Sequence, residues 1–183
     1  MAFHIAQDPA ADAVLSESPF ALLLGMLLDQ QYKMEEAFKG GHKLLSRLGH
    51  LDPQRIAAMD PEEFKAIASQ TPAIHRFPGS MATRVHALAL HIRDEYGGHA
   101  EHVWTRAESS EELRASLSAL PGFGEMKVKS LGAVLAKRFG IAAAQDLVPA
   151  HPTLGDVDSP EALSAYQAAK KAHKAEWSKS RVR

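Results

Sequence analysis

No cysteine occurs anywhere in the 183-residue chain. That excludes a disulfide framework, a thiolate zinc site and a cysteine-ligated iron–sulfur cluster together. Long apolar runs are missing as well. The longest, residues 21–28, falls well short of the ~20 residues a membrane span needs. Residues 1–10 show neither the basic start nor the apolar stretch of a signal peptide, so the cytoplasm is the expected compartment. The alternation of apolar and polar residues that marks half-buried strands is absent. So are a P-loop, a dinucleotide fingerprint and a nucleophile elbow. Charge of either sign is not in excess: 21 Lys+Arg stand against 22 Asp+Glu, a net of −1 that argues against a general polyanion binder.

What is present is a globular composition, 45% hydrophobic and 23% charged. The length suits one substantial core or two small lobes with a common interface, and a single domain over residues 1–183 is expected. Apolar residues recur at helical spacing in nearly every segment, which predicts an all-α chain of about nine or ten helices. Pro19 and Phe20 open a helix that is apolar nearly all round and therefore buried. A second helix is expected from Met34 to Leu48, stopping at Gly49. Asp52-Pro53 and Asp60-Pro61 each read as an N-cap followed by a first-turn proline. Ser80 is placed to cap the helix carrying Val85, Leu88, Leu90 and Ile92, and Ser109 or Ser110 the one that follows Trp104. A last helix starts near Asp158-Ser159-Pro160 and runs into a basic tail over residues 170–183.

Charge is distributed unevenly along the chain. Residues 52–63 are acidic, whereas Lys127, Lys129, Lys137 and Arg138 follow one another after residue 124 with only Glu125 against them. Between the two helices of residues 110–140 lies Leu120-Pro121-Gly122-Phe123-Gly124. Proline ends the incoming helix, and Gly122 and Gly124 are read as free to take positive φ and to leave backbone N–H groups bare. Phe123 is expected to pack downward. Bare amides at a helix start suit a phosphate oxygen, with Lys127 and Lys129 adding attraction to a nucleic-acid backbone. The turn's carbonyls are a candidate seat for a monovalent cation. A plain helical hairpin with a glycine turn accounts for the same residues.

Read together with residues 19–31 (Pro-Phe-Ala-Leu-Leu-Leu-Gly-Met-Leu-Leu-Asp-Gln-Gln), the hairpin resembles the helix-hairpin-helix/GPD DNA glycosylases, the endonuclease III superfamily. Those enzymes open on Pro-Phe and an apolar helix, carry a glutamine where Gln31 stands, and later show Leu-Pro-Gly-Val-Gly. The similarity covers residues 15–140 and is nearest to a short, cysteine-free bacterial subgroup. It implies two helical lobes with a cleft between them, and duplex DNA with a damaged base as partner, the base being rotated out into the cleft. It further implies cleavage of the N-glycosidic bond with a catalytic aspartate, a monomer, and use at the bacterial nucleoid. Gln31 is then the side chain that fills the space left by the base. His75 and Arg76, with Phe77, fall where the family keeps a second wedge.

The chain departs from the pattern at two points. Family members that also cut the strand hold a lysine two residues after the last hairpin glycine, where this chain has Met126; Lys127 lies one place later. Monofunctional hydrolysis is therefore expected. For the catalytic carboxylate, Asp156 and Asp146 are alternatives: Asp146 has the better spacing from Gly124, and Asp156 precedes a clearer helix start. The alternative to an enzyme is a non-catalytic hairpin module that binds damaged or abasic DNA, and beyond that a helical scaffold for protein.

Of the ten histidines, His86 and His91 do not share a helix face. His99 and His102, with Glu101 between them, lack an evident third ligand, so no metal site is expected. Trp104 reads as a core aromatic. Trp177, among Lys174 and Lys179, reads as part of a solvated tail.

Overall fold

The structure, a computed structural model, describes residues 3–180, without the side chains of 177–180. Arg181 and Arg183 of the basic tail thus lie outside the described residues, as do the side chains of Trp177 and Lys179. Among the described residues there are eleven α-helices and no strand. They are α1 (Pro9–Glu17), α2 (Pro19–Leu28), α3 (Met34–Phe38), α4 (Gly40–Leu48), α5 (Pro53–Ala58), α6 (Pro61–Ser69), α7 (Pro78–Tyr96), α8 (His102–Thr105), α9 (Ser110–Ala119), α10 (Glu125–Phe139) and α11 (Pro160–Ser180). Two short 3-10 turns, Ala142–Leu147 and Leu154–Asp156, separate α10 from α11.

Everything is arranged around α2. Each residue from Phe20 to Leu28 is buried, and removing one such leucine from water is worth about 2 kcal/mol. α1, α3 and α4 sheathe it. The single helix expected from Met34 to Leu48 does not form, because the chain passes too close to α2. A Cβ on Gly40 would sit 2.4 Å from Leu28 Cδ1, and one on Gly41 3.0 Å from Ala21 Cβ. The path bends at Lys39 to allow this approach, giving α3 and α4.

α7 lies along α5 and α6. It starts at Pro78 rather than after Ser80, since proline is already set for the first helical position and no side chain caps it. After Gly97 and Gly98 the chain crosses to a second set of helices, in which α9, α10, α11 and the two 3-10 turns pack together and α8 rests on α9. Contact between α2 and α10 joins the two sets. Within the described part of the tail, α11 stays helical to Ser180. Among the described residues no single helix is long and apolar enough to cross a membrane; α1 and α2 meet that test only as a pair bent by 118°.

Candidate functional site

The turn between α9 and α10 lies directly on the end of α2. Gly122 has φ +81°, and a Cβ there would meet Leu27 Cδ1 at 2.6 Å, so both conformation and space demand glycine. Phe123 is buried, as expected, and donates its N–H to the Leu120 carbonyl at 3.1 Å. Gly124 differs from the expectation: its φ is −83°, and nothing lies within 4 Å of where its Cβ would be. What it contributes is openness. It is exposed, it is the N-cap of α10, and no side chain caps the first amides of that helix.

Met126, where the related lysine would stand, points into solvent with 80% exposure. Lys127 turns the other way. Its Nζ donates to the Leu27 carbonyl at 2.7 Å and lies 5.9 Å from the Phe123 ring centre. Lys127 was expected against the phosphates; the Leu27 carbonyl at the buried end of α2 draws it inward, because the last carbonyls of a helix need donors. Burial pushes the ammonium down to about 8, the Asp29 charge opposes the shift and Arg84 adds to it.

Asp29 closes α2. Burial raises its carboxyl above the usual range, the Lys170 and Lys127 charges hold it back, and Glu35 pushes it up again. Lys170 Nζ lies 3.9 Å from Asp29 Oδ2, and Gln167 hydrogen-bonds Glu35, so α11 returns to the end of α2. Between them the Tyr166 hydroxyl is pushed up to about 12 by burial and by the Asp29 charge.

The link from α2 to α3 carries Gln31 at φ +52°, a left-handed conformation in a residue other than glycine. Such a conformation costs about 1–3 kcal/mol and survives where the surroundings hold it. Here Arg76 donates to the Gln31 carbonyl at 3.5 Å, and the His75 ring bonds the Gln30 carbonyl at 3.0 Å through Nε2. The His75 Nδ1 accepts the Phe77 N–H at 3.0 Å. His75, expected at a duplex surface, is instead buried, and burial lowers its pKa. It orients the loop while Arg76 and Phe77 stay exposed. Gln31, Tyr32, Lys33 and Arg76 line an open depression beside it. Gln31, Arg76, the glycine turn and Lys127 therefore meet around one helix end.

Three sequence-derived residues do not join them. Lys129 pairs with Glu125 at 2.8 Å on the outer side of α10. Asp156 accepts both hydrogen bonds of Lys137 at 2.7 Å and closes a capping box with Thr153. Burial raises its pKa, but the Lys137 and Thr153 hydrogen bonds outweigh burial and leave it lowered. Asp146 accepts from Ser110 at 2.6 Å, where α9 begins. Both carboxylates thus sit at the end of the hairpin remote from its turn, about 15 Å along α10 in the case of Lys137 and Lys127. Asp29 is the carboxylate that faces Lys127, and sequence reading passed over it. Its signal was a lone acid closing an otherwise apolar helix.

A family model described as HhH-GPD superfamily base excision DNA repair protein matches residues 24–177. No curated protein and no solved structure matches the chain.

Proposed function

The chain belongs to this HhH-GPD superfamily of base excision DNA repair proteins, and from that premise we propose that it is a monofunctional DNA glycosylase. The observation that carries the reading is the half-buried Asp29–Lys127 couple where the end of α2 meets the hairpin turn. Two lobes, the helices around α2 and those around α10, flank a cleft that receives a base rotated out of duplex DNA. The Gly124 turn seats a phosphate, Lys129 adds attraction to the backbone, and the carbonyls of the turn would hold a monovalent cation. Gln31 enters the gap left by the base, steadied through its carbonyl by Arg76.

In the cleft the N-glycosidic bond breaks and its electron pair leaves with the base. Positive charge develops at C1′ of the sugar, and the ionised Asp29 stabilises it. Water then adds to C1′ and loses its proton to the carboxylate, leaving an abasic site and a free base. The Lys170 ammonium and the Lys127 ammonium, the latter fixed to the Leu27 carbonyl, both favour the ionised form of Asp29 against its burial. Asp156 and Asp146 remain structural under this reading.

The test is single-turnover incubation of purified protein with duplexes carrying alkylated, oxidised or deaminated bases. Alkali-labile abasic sites on at least one substrate are expected. No product across the panel, with damaged duplex still bound above a salt-screened background, selects the non-catalytic module; no specific binding selects the scaffold.

One observation favours a second reading. An amine held near pKa 8 is deprotonated often enough at neutral pH to attack C1′ as a nucleophile. Borohydride would then trap Lys127 on the DNA, and trapping on Lys127 replaces the monofunctional assignment.

A further inference from the structure

The crossover between the two sets of helices holds a group of side chains that the proposed repair chemistry does not use. Gly97 and Gly98, at φ +62° and +85°, reverse the chain after α7. Gln54 Nε2 fixes the reversal by donating to the Gly97 carbonyl at 2.6 Å, and the Gly98 N–H returns to Ile92 at 3.0 Å. The His102 N–H then bonds the His99 carbonyl at 3.1 Å. That helical turn brings His99 and His102 to one side, with ring centres 4.8 Å apart. Glu101 joins them, its Oε1 lying 3.4 Å from His99 Nδ1. One ligand atom from each of the three lies within 4.8 Å of the others. Among the described residues, His102 Nδ1 is buried and has no hydrogen-bond partner.

We propose that His99, Glu101 and His102 form a zinc(II) site at this crossover. Two imidazole nitrogens and one carboxylate oxygen are a zinc donor set, with water completing the tetrahedron. Imidazole donors also favour Zn²⁺, Cu²⁺ and Ni²⁺ over Mg²⁺ and Ca²⁺. Metal–ligand bonds of ~2.1 Å put tetrahedral ligand atoms about 3.4 Å apart. The three groups, now within 4.8 Å of one another, therefore draw together by at most about 1.4 Å, and the His99 and Glu101 side chains have enough exposure to turn. Glu101 is the third ligand that the spacing of histidines alone does not reveal. The ion ties down the segment that links α7 to α8, and α8 packs on α9, so its effect is on the relation of the two helix sets. The site stands independently of the glycosylase reading.

The experiment is calorimetric titration of the metal-free protein with Zn²⁺, beside thermal melts with and without the ion. One equivalent is expected to bind and to raise Tm. His99→Ala at an exposed position and Glu101→Gln at a half-buried one should each weaken binding about tenfold or more, the range that even outer-shell partners of a zinc ion cost. Their metal-free melts should match the parent. His173→Ala, on α11, should leave binding unchanged. Absence of stoichiometric binding, or binding that survives His99→Ala and Glu101→Gln, overturns the site.

Discussion

Lys127 and Lys137 stand ten residues apart on α10, and the fold treats them in opposite ways. Lys137 gives two 2.7 Å hydrogen bonds to Asp156 near the surface, and a capping box completes the arrangement. Lys127 is pressed against the end of α2, its acceptor a main-chain carbonyl, and burial depresses its pKa to about 8. One end of the helix satisfies its charges; the other keeps an ammonium and a carboxylate half out of water, at a cost. Perturbed charges of that kind cluster at functional sites, and structural ion-pair networks produce them as well. On the proposed reading the two ends separate a fastener from a working site, although both are built from a lysine and an aspartate.

The sharpest way to break this contrast is Asp29→Asn. Abasic-site formation should fall by about 10²–10⁴-fold, the range of a lost acid–base group, with affinity for damaged duplex retained. An unaffected rate would move the chemistry back to Asp146 or Asp156. The parent's single-turnover rate should follow a bell in pH. The acid limb lies above the ordinary aspartate range, because burial raises Asp29 and the ionised form is needed. The alkaline limb falls near pH 8 as Lys127 loses its proton. Lys127→Met should abolish the alkaline limb and lower the rate by about 10²-fold; a parent rate that instead climbs through pH 8 selects the imine reading.

The two turn glycines should separate next. Gly124→Val, with room around it and φ negative, should fold normally and weaken duplex binding about tenfold, or ~1.4 kcal/mol, by fluorescence anisotropy. Gly122→Val should destabilise the protein by more than the ~1–3 kcal/mol of a left-handed residue, since it also meets Leu27. The smallest effect is expected at the other end of α10. Asp156→Asn should cost about 1 kcal/mol in chemical denaturation, as a lost cap does, with turnover unchanged. Asp156 is lowered in the fold, so its contribution is full above the unfolded value and disappears as pH falls through the folded one. The difference in Tm between parent and variant should close in acid.

Much of this architecture was legible in the residues. The buried α2, the Ser109 cap, the downward Phe123 and the core Trp104 all follow from local patterns. α1 was equally legible and was missed: Asp8-Pro9 is the same cap and first-turn proline as Asp52-Pro53, and Asp8 accepts from Ala10 and Ala11. The break at Lys39 was not legible, because it depends on how closely Gly40 approaches Leu28 across the core. For the same reason Lys127 read as a surface cation. Which way a first-turn lysine points is decided by what stands opposite, and the facing carbonyl of Leu27 lies 100 residues earlier in the chain. Asp29 gains its proposed role only through that partnership.

The return of α11 to Asp29 has a consequence for biosynthesis. Lys170 and Tyr166 are among the last described residues to leave the ribosome, yet they help to set the electrostatics of a side chain made near the beginning. Synthesis runs from the N-terminus, so the hairpin of residues 110–140 is made before the residues that complete the polarity beside Asp29. If the chain is the glycosylase proposed above, an unfinished polypeptide of this sequence would touch DNA without being competent to excise from it.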